Sequence, residues 1–136
     1  MKYCQICGGE KVEIHHIIFR SEASYLANLP INFKYLCFKC HRGKKSPHFS
    51  KEVDFKFKRE LQDKLYNIFK GKKYYGEEDI KNLLNISISE VLRVVNPLKI
   101  YKEGYYIEDI ILRLLGGRLY LEPYEVEIKN LMEKFM

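Results

Sequence analysis

Apolar and polar residues alternate along Lys11-Val12-Glu13-Ile14-His15-His16-Ile17, the period-two pattern of a short strand. Gly8-Gly9 marks a turn ahead of it, and Pro30 followed by Asn32 breaks the chain after it. A helix starting near Cys37 is held to about two turns by Gly43 and Pro47. From Val53 to Lys70 the period lengthens to that of a helix, with Phe55, Leu61, Leu65, Ile68 and Phe69 on one face and Gly71 as its expected C-cap. Glu77-Glu78-Asp79 then places acids in the first turn of a helix running to about Leu84. Ser87 opens another, from Ile88 to about Val95, which Pro97 ends. Ile100 to Tyr106 reads as a hairpin turning at Gly104. A helix over about 108–115 closes at Gly116-Gly117, and an amphipathic helix runs from Pro123 to the end.

These elements predict an α+β chain, mostly helical, in three parts. Residues 1–50 form a small module, 51–75 a linker helix, and 76–136 a helical domain with the order helix, short turn, helix, hairpin, helix, the outline of a winged helix-turn-helix. No internal repeat is visible. Nearly half the residues are apolar and no segment is of low complexity, so the composition is globular. No apolar run approaches the roughly 20 residues that span a bilayer, so no membrane is expected. The start, Met1-Lys2-Tyr3-Cys4, lacks the apolar stretch of a signal peptide, and the expected location is the cytoplasm of a bacterial or phage-infected cell.

The net charge of +6 matters through its distribution. Residues 1–50 carry +5 and 51–75 carry +4, while 76–136 carry −3. A polyanionic partner would therefore meet the first 75 residues.

A module of about fifty residues buries too little surface to be secure without a staple. Cys4-x-x-Cys7 and Cys37-x-x-Cys40 supply one. In a reducing compartment two such knuckles read as a tetrahedral four-sulfur site suited to structural zinc, ahead of disulfides or free thiols. Between the knuckles lies His15-His16, and directly after the second lies His41. Neighbouring residues on a strand point to opposite faces, so His15 and His16 should do different work. His48, the remaining histidine, is expected to be a satisfied or exposed side chain.

Cys4-x-x-Cys7, His15-His16-Ile17, and Asn32-x-x-x-Leu36-Cys37-x-x-Cys40-His41 followed by Lys44 together resemble the HNH or ββα-metal endonucleases, in their four-cysteine branch, which includes phage-type nucleases. The resemblance covers about residues 3–48. It implies DNA as the partner and phosphodiester hydrolysis, by nicking or by cutting branched DNA. His15 and His41 would hold a catalytic divalent metal, His16 would be the general base, and Asn32 would brace the loop that orients it. Imidazole suits the base role because its unperturbed pKa is about 6.5. Arg20, Lys34, Arg42, Lys44 and Lys45 are candidates for phosphate contact. His15 stands where many members carry Asp, which leaves the metal open among Mg²⁺, Mn²⁺, Ni²⁺ and Zn²⁺. The usual Pro after His-His-Ile is also replaced, by Phe19 or Arg20.

The C-terminal part more weakly resembles excisionase- or MerR-type winged helices. Its expected recognition helix, Ser87 to Val95, carries Arg93 as its only base. DNA targeting and protein contact, including a homodimer through residues 76–136 on the surfaces of Ile110 to Leu121 and Val126 to Phe135, both stay open. A zinc-stapled DNA-binding or adaptor protein without catalysis is the alternative to the nuclease reading. It would need the cysteines but not the three histidines.

Overall fold

A computed structural model describes residues 2–135. Strand β1 (Glu13–His16) pairs antiparallel with β2 (Phe33–Leu36), with Glu13 opposite Leu36 and His16 opposite Phe33. The periodicity of the sequence did not mark β2 out, because Phe33, Lys34 and Tyr35 are all half-buried and do not alternate. The loop between the strands is two 3₁₀ turns, Ser24–Leu26 and Pro30–Asn32. Helix α1 (Phe38–Arg42) is capped by its own knuckle, with the Cys40 backbone N–H donating to Cys37 Sγ. The Gly43 N–H closes it on Lys39 O, in a turn where a Cβ would sit 2.5 Å from that carbonyl.

Helix α2 (Lys51–Ile68) starts where Ser50 Oγ accepts from the Val53 N–H, with Glu52 and Asp54 complementing the dipole of the first turn. Phe57, Leu61 and Leu65 are buried along one face, and Phe69 follows them into the core. The helix ends there, the Phe69 N–H bonding Leu65 O, so the expected cap at Gly71 lies two residues beyond the actual one. The polar face is also less simple than the periodicity implies. Lys58 is buried, its ammonium 2.9 Å from Glu22, 3.1 Å from Asp54 and 4.4 Å above the Phe19 ring. Burial opposes that charge, yet the two carboxylates hold its pKa above the usual lysine range.

The remaining elements are β3 (Tyr74–Tyr75), α3 (Glu77–Leu84), α4 (Ile88–Val95), β4 (Ile100–Tyr101), β5 (Gly104–Tyr106), α5 (Ile107–Leu114) and α6 (Pro123–Lys134). The hairpin β4–β5 accepts β3 on its far side, giving the sheet order β3-β5-β4. Gly104 is required twice over. Its φ is +125°, and a Cβ would lie 2.6 Å from Tyr75 O across the sheet. Asn85, in the left-handed region, closes α3, and Ser87 caps α4 through the Glu90 N–H.

Helix α2 packs against both flanking parts. Gln62 exchanges two hydrogen bonds with the Tyr120 backbone, and Tyr66 OH donates to Glu108. Tyr25, from the loop between β1 and β2, donates to Arg113 O. The buried apolar residues accordingly form one continuous cluster from Cys4 to Tyr120. Ile110, Ile111, Leu114 and Leu115 are buried inside it, while Leu119 and Leu121 are half-buried, Gly117 and Arg118 exposed, and α6 buries nothing. Among the described residues no helix is long and apolar enough to cross a membrane.

Candidate metal centre

The knuckles converge as their spacing requires. The sulfurs of Cys4, Cys7, Cys37 and Cys40 all lie within 4.8 Å of one another, with Cys7 and Cys37 3.7 Å apart. The first knuckle turns at Gly8 (φ +79°), where the Gly8 N–H bonds Cys4 O and the Cys7 N–H points at Cys4 Sγ. Burial opposes ionisation of Cys4, but the N–H groups of Cys7, Cys37 and Ile6 carry its pKa down to about 6. Burial and the three neighbouring sulfurs push Cys40 up to about 12. Four sulfurs this close can all be thiolates only around a cation, and the set could hold one metal ion.

A second cluster shares α1 with the first, Cys40 and His41 being neighbours on that helix. Nitrogen atoms of His15, His41 and His48 approach within 4.8 Å. Glu13 and His15 share a face of β1, being two residues apart, and both reach α1 from there. The His41 Nδ1–H donates to Glu13 Oε1 at 2.7 Å, which leaves His41 Nε2 with its lone pair as an acceptor. His48 Nε2 lies 3.1 Å from that atom. His15 is fully buried, and neither of its ring nitrogens has a hydrogen-bond partner. Burial, with the fields of His48 and His41, drops its pKa to about 3, so it is a neutral lone-pair donor. Burial and His41 also lower His48, against a weaker opposing pull from Asp54. A buried imidazole with both nitrogens orphaned costs on the order of 1–3 kcal/mol per unmade bond, and ligation of a metal would remove that cost at the nitrogen it binds. The three residues therefore fit a cation, and they could hold one.

His16 leaves β1 on the opposite face. Its ring stands edge-on to Phe33 and its Nε2–H donates to Ala27 O at 3.0 Å. A carbonyl can only accept, so the proton sits on Nε2 and the Nδ1 lone pair is free. Asn32, buried, ties the loop to the strand's end. Its Oδ1 accepts from the Ile18 N–H at 2.7 Å, its Nδ2 donates to Ile18 O and Leu26 O, and its own carbonyl accepts from the Ile17 N–H. Ala27, which holds His16, lies within the loop so fastened.

Residues 4–46 match the HNH endonuclease family. The match spans just under a third of the chain and takes in both knuckles, His15, His16, Asn32 and His41. No curated protein and no solved structure matches the chain.

The HNH segment stops two residues short of His48, and the sequence reading left that residue outside the site. In the structure His48 is exposed and hydrogen-bonded, as expected, but loop 43–50 turns back and sets it against His41 and His15. Gly43 and Pro47, which stop α1, and Ser50, which starts α2, were the available signal that the chain must reverse there. Glu13 was missed too, although it lies two residues before His15 on the same strand. Of the basic residues around the HNH module, Arg42 is held bidentate by Glu13, and Lys34 by Glu60 over the Phe57 ring. Arg20, Lys44 and Lys45 are exposed.

Proposed function

We propose that the protein is a metal-dependent HNH endonuclease that hydrolyses DNA phosphodiester bonds, with His16 as general base and the catalytic divalent ion held by His15, His41 and His48. The convergence of three imidazoles, one of them buried with both nitrogens unpartnered, carries this reading. A bound divalent ion would neutralise charge on the scissile phosphate and on the leaving 3′ oxygen. His15 offers a neutral nitrogen from inside the core, and Glu13 keeps His41 turned with Nε2 toward it. His16, proton fixed on Nε2 by Ala27 O, offers Nδ1 to the attacking water. Three imidazoles without a carboxylate favour Mn²⁺, Ni²⁺ or Zn²⁺ over Mg²⁺ at this site. The four-cysteine cluster is a closed site, suited to structural zinc.

The deciding experiment is nicking of supercoiled plasmid in the presence of each metal in turn. Wild type should nick, and His16→Ala should lose about 10²–10⁴-fold in rate while keeping its fold and its zinc. A His16→Ala protein as active as wild type would overturn the assignment. A wild type inert with every metal, yet still binding DNA, would favour the non-catalytic adaptor.

For residues 76–136 we infer a winged-helix role subordinate to the HNH module. Helices α3 and α4, the β4–β5 hairpin and the order β3-β5-β4 support that reading. The outward side of α4 presents Ile88, Ser89, Leu92, Arg93 and Asn96, with one base among them. The grip on phosphate should therefore come from residues 1–75, and salt should weaken binding mainly through Arg20, Lys44 and Lys45.

A further inference from the structure

We infer that α6 is a self-association helix, through which two copies of the chain pair antiparallel about a twofold axis. The helix has no buried residue, and only its first turn is tied to the body, through Arg59 to the Glu125 carboxylate. Tyr124 is 63% exposed, Ile128 53%, Leu131 55% and Phe135 81%. An isolated helix shorter than about 12–15 residues is marginal in water, so a helix left this bare needs cover to persist.

The spacing of its apolar residues says what kind of cover. Tyr124, Ile128, Leu131 and Phe135 follow one another at intervals of four, three and four, the spacing of a two-helix seam, with the exposed Met132 on its flank. A second copy fits this seam in one register. Run antiparallel, Tyr124 faces the partner's Phe135 and Ile128 faces the partner's Leu131, and the twofold repeats both layers. The same register sets Glu127 against the partner's Lys134, again twice. A parallel pair would put Glu127 beside Met132 and lose both ion pairs. Glu125, on the other flank, is already turned to Arg59 and does not compete. Four apolar side chains per copy make a short seam, so the dimer should be reversible and concentration-dependent.

The pairing does not depend on the nuclease reading, and its test needs no cleavage. Sedimentation equilibrium of the full chain up to about 10⁻⁴ M should show a monomer–dimer equilibrium. Ile128→Glu with Leu131→Glu should abolish it while circular dichroism outside α6 is unchanged. Glu127→Lys or Lys134→Glu alone should weaken dimerisation, and the two together should restore it to near the wild-type constant. A wild type that stays monomeric over this range overturns the proposal. A double swap no better than either single change overturns the antiparallel register.

Discussion

Glu13 and His41 lie 28 residues apart in sequence and 2.7 Å apart in space, carboxylate to Nδ1–H. The contact fixes which nitrogen of His41 carries the proton, and so which one is left for a ligand. Hydrogen bonds from His41 and Arg42 hold the Glu13 carboxyl below the usual glutamate range, keeping it an acceptor. Removing it frees the imidazole to rotate and to choose its other tautomer. Glu13→Ala should therefore weaken binding of Mn²⁺ or Ni²⁺ about 10–100-fold by isothermal titration. Glu13→Gln retains an acceptor and should lose much less. Equal losses in the two variants would show that charge, not orientation, is what His41 needs.

His15 makes an opposite prediction for stability and for metal response. Leucine has nearly the volume of imidazole and no polar atoms to orphan. His15→Leu should raise the melting temperature of zinc-loaded protein without added Mn²⁺ or Ni²⁺, by a few degrees for about 1–2 kcal/mol recovered. It should also abolish the further rise that Mn²⁺ or Ni²⁺ gives the wild type, which at 100-fold excess over Kd is about 2.7 kcal/mol. If the variant is destabilised and still stabilised by metal, His15 is a packing residue and the ligand set is wrong.

How far the sequence exposes this site follows from range. Periods and caps are local, so β1, α1, α2 and the run from α3 to α6 are read from neighbouring residues, within about a turn at each end. Strand β3 is two residues whose pairing comes from β5, about thirty residues on, and no local period announces it. Lys58 repeats like a surface residue of α2, and only the approach of Glu22 and Phe19 from another loop buries it. His15, His16, Asn32 and His41 are legible because they sit at fixed offsets from the cysteines. His48 joins them through a loop folded by its own turns, Ser46 N–H to Gly43 O and Phe49 and Ser50 N–H to Ser46 O, which announce a reversal but not which side chain it delivers.

Asn32 is the buried polar side chain that ties the loop positioning His16 to the end of β1. Three of its hydrogen bonds are buried, and Asn32→Ala would leave the Ile18 N–H and the Ile18 carbonyl unpaired, while Leu26 O keeps its bond from the Leu29 N–H. The expected loss is roughly 2–4 kcal/mol of stability by urea denaturation. Asn32→Asp keeps the acceptor for Ile18 but sets a carboxylate against Ile18 O and Leu26 O, and should be no better. Because Ala27 belongs to the same loop, both variants should also lower the cleavage rate more than metal affinity. A variant that loses metal affinity instead would place Asn32 with the His15 cluster.

The four-cysteine cluster bears on folding before it bears on chemistry. Around it, Cys4 is buried, and the loop at Gly9 passes close enough that a Cβ there would sit 3.5 Å from Cys7 Sγ. The strand pair above it is four residues long and could not hold its register unaided. Cys37→Ser removes one of the four sulfurs, while its hydroxyl can still accept from the Cys40 N–H at the cap of α1. This change should release zinc and unfold residues 1–50. The core is continuous with the C-terminal part, so the damage should spread, lowering the melting temperature of the whole chain and broadening its transition. A strong chelator applied to the wild type should reproduce the effect, and restored zinc should reverse it. A Cys37→Ser protein that binds no zinc yet melts sharply at the wild-type temperature would show that the hydrophobic cluster alone carries the fold.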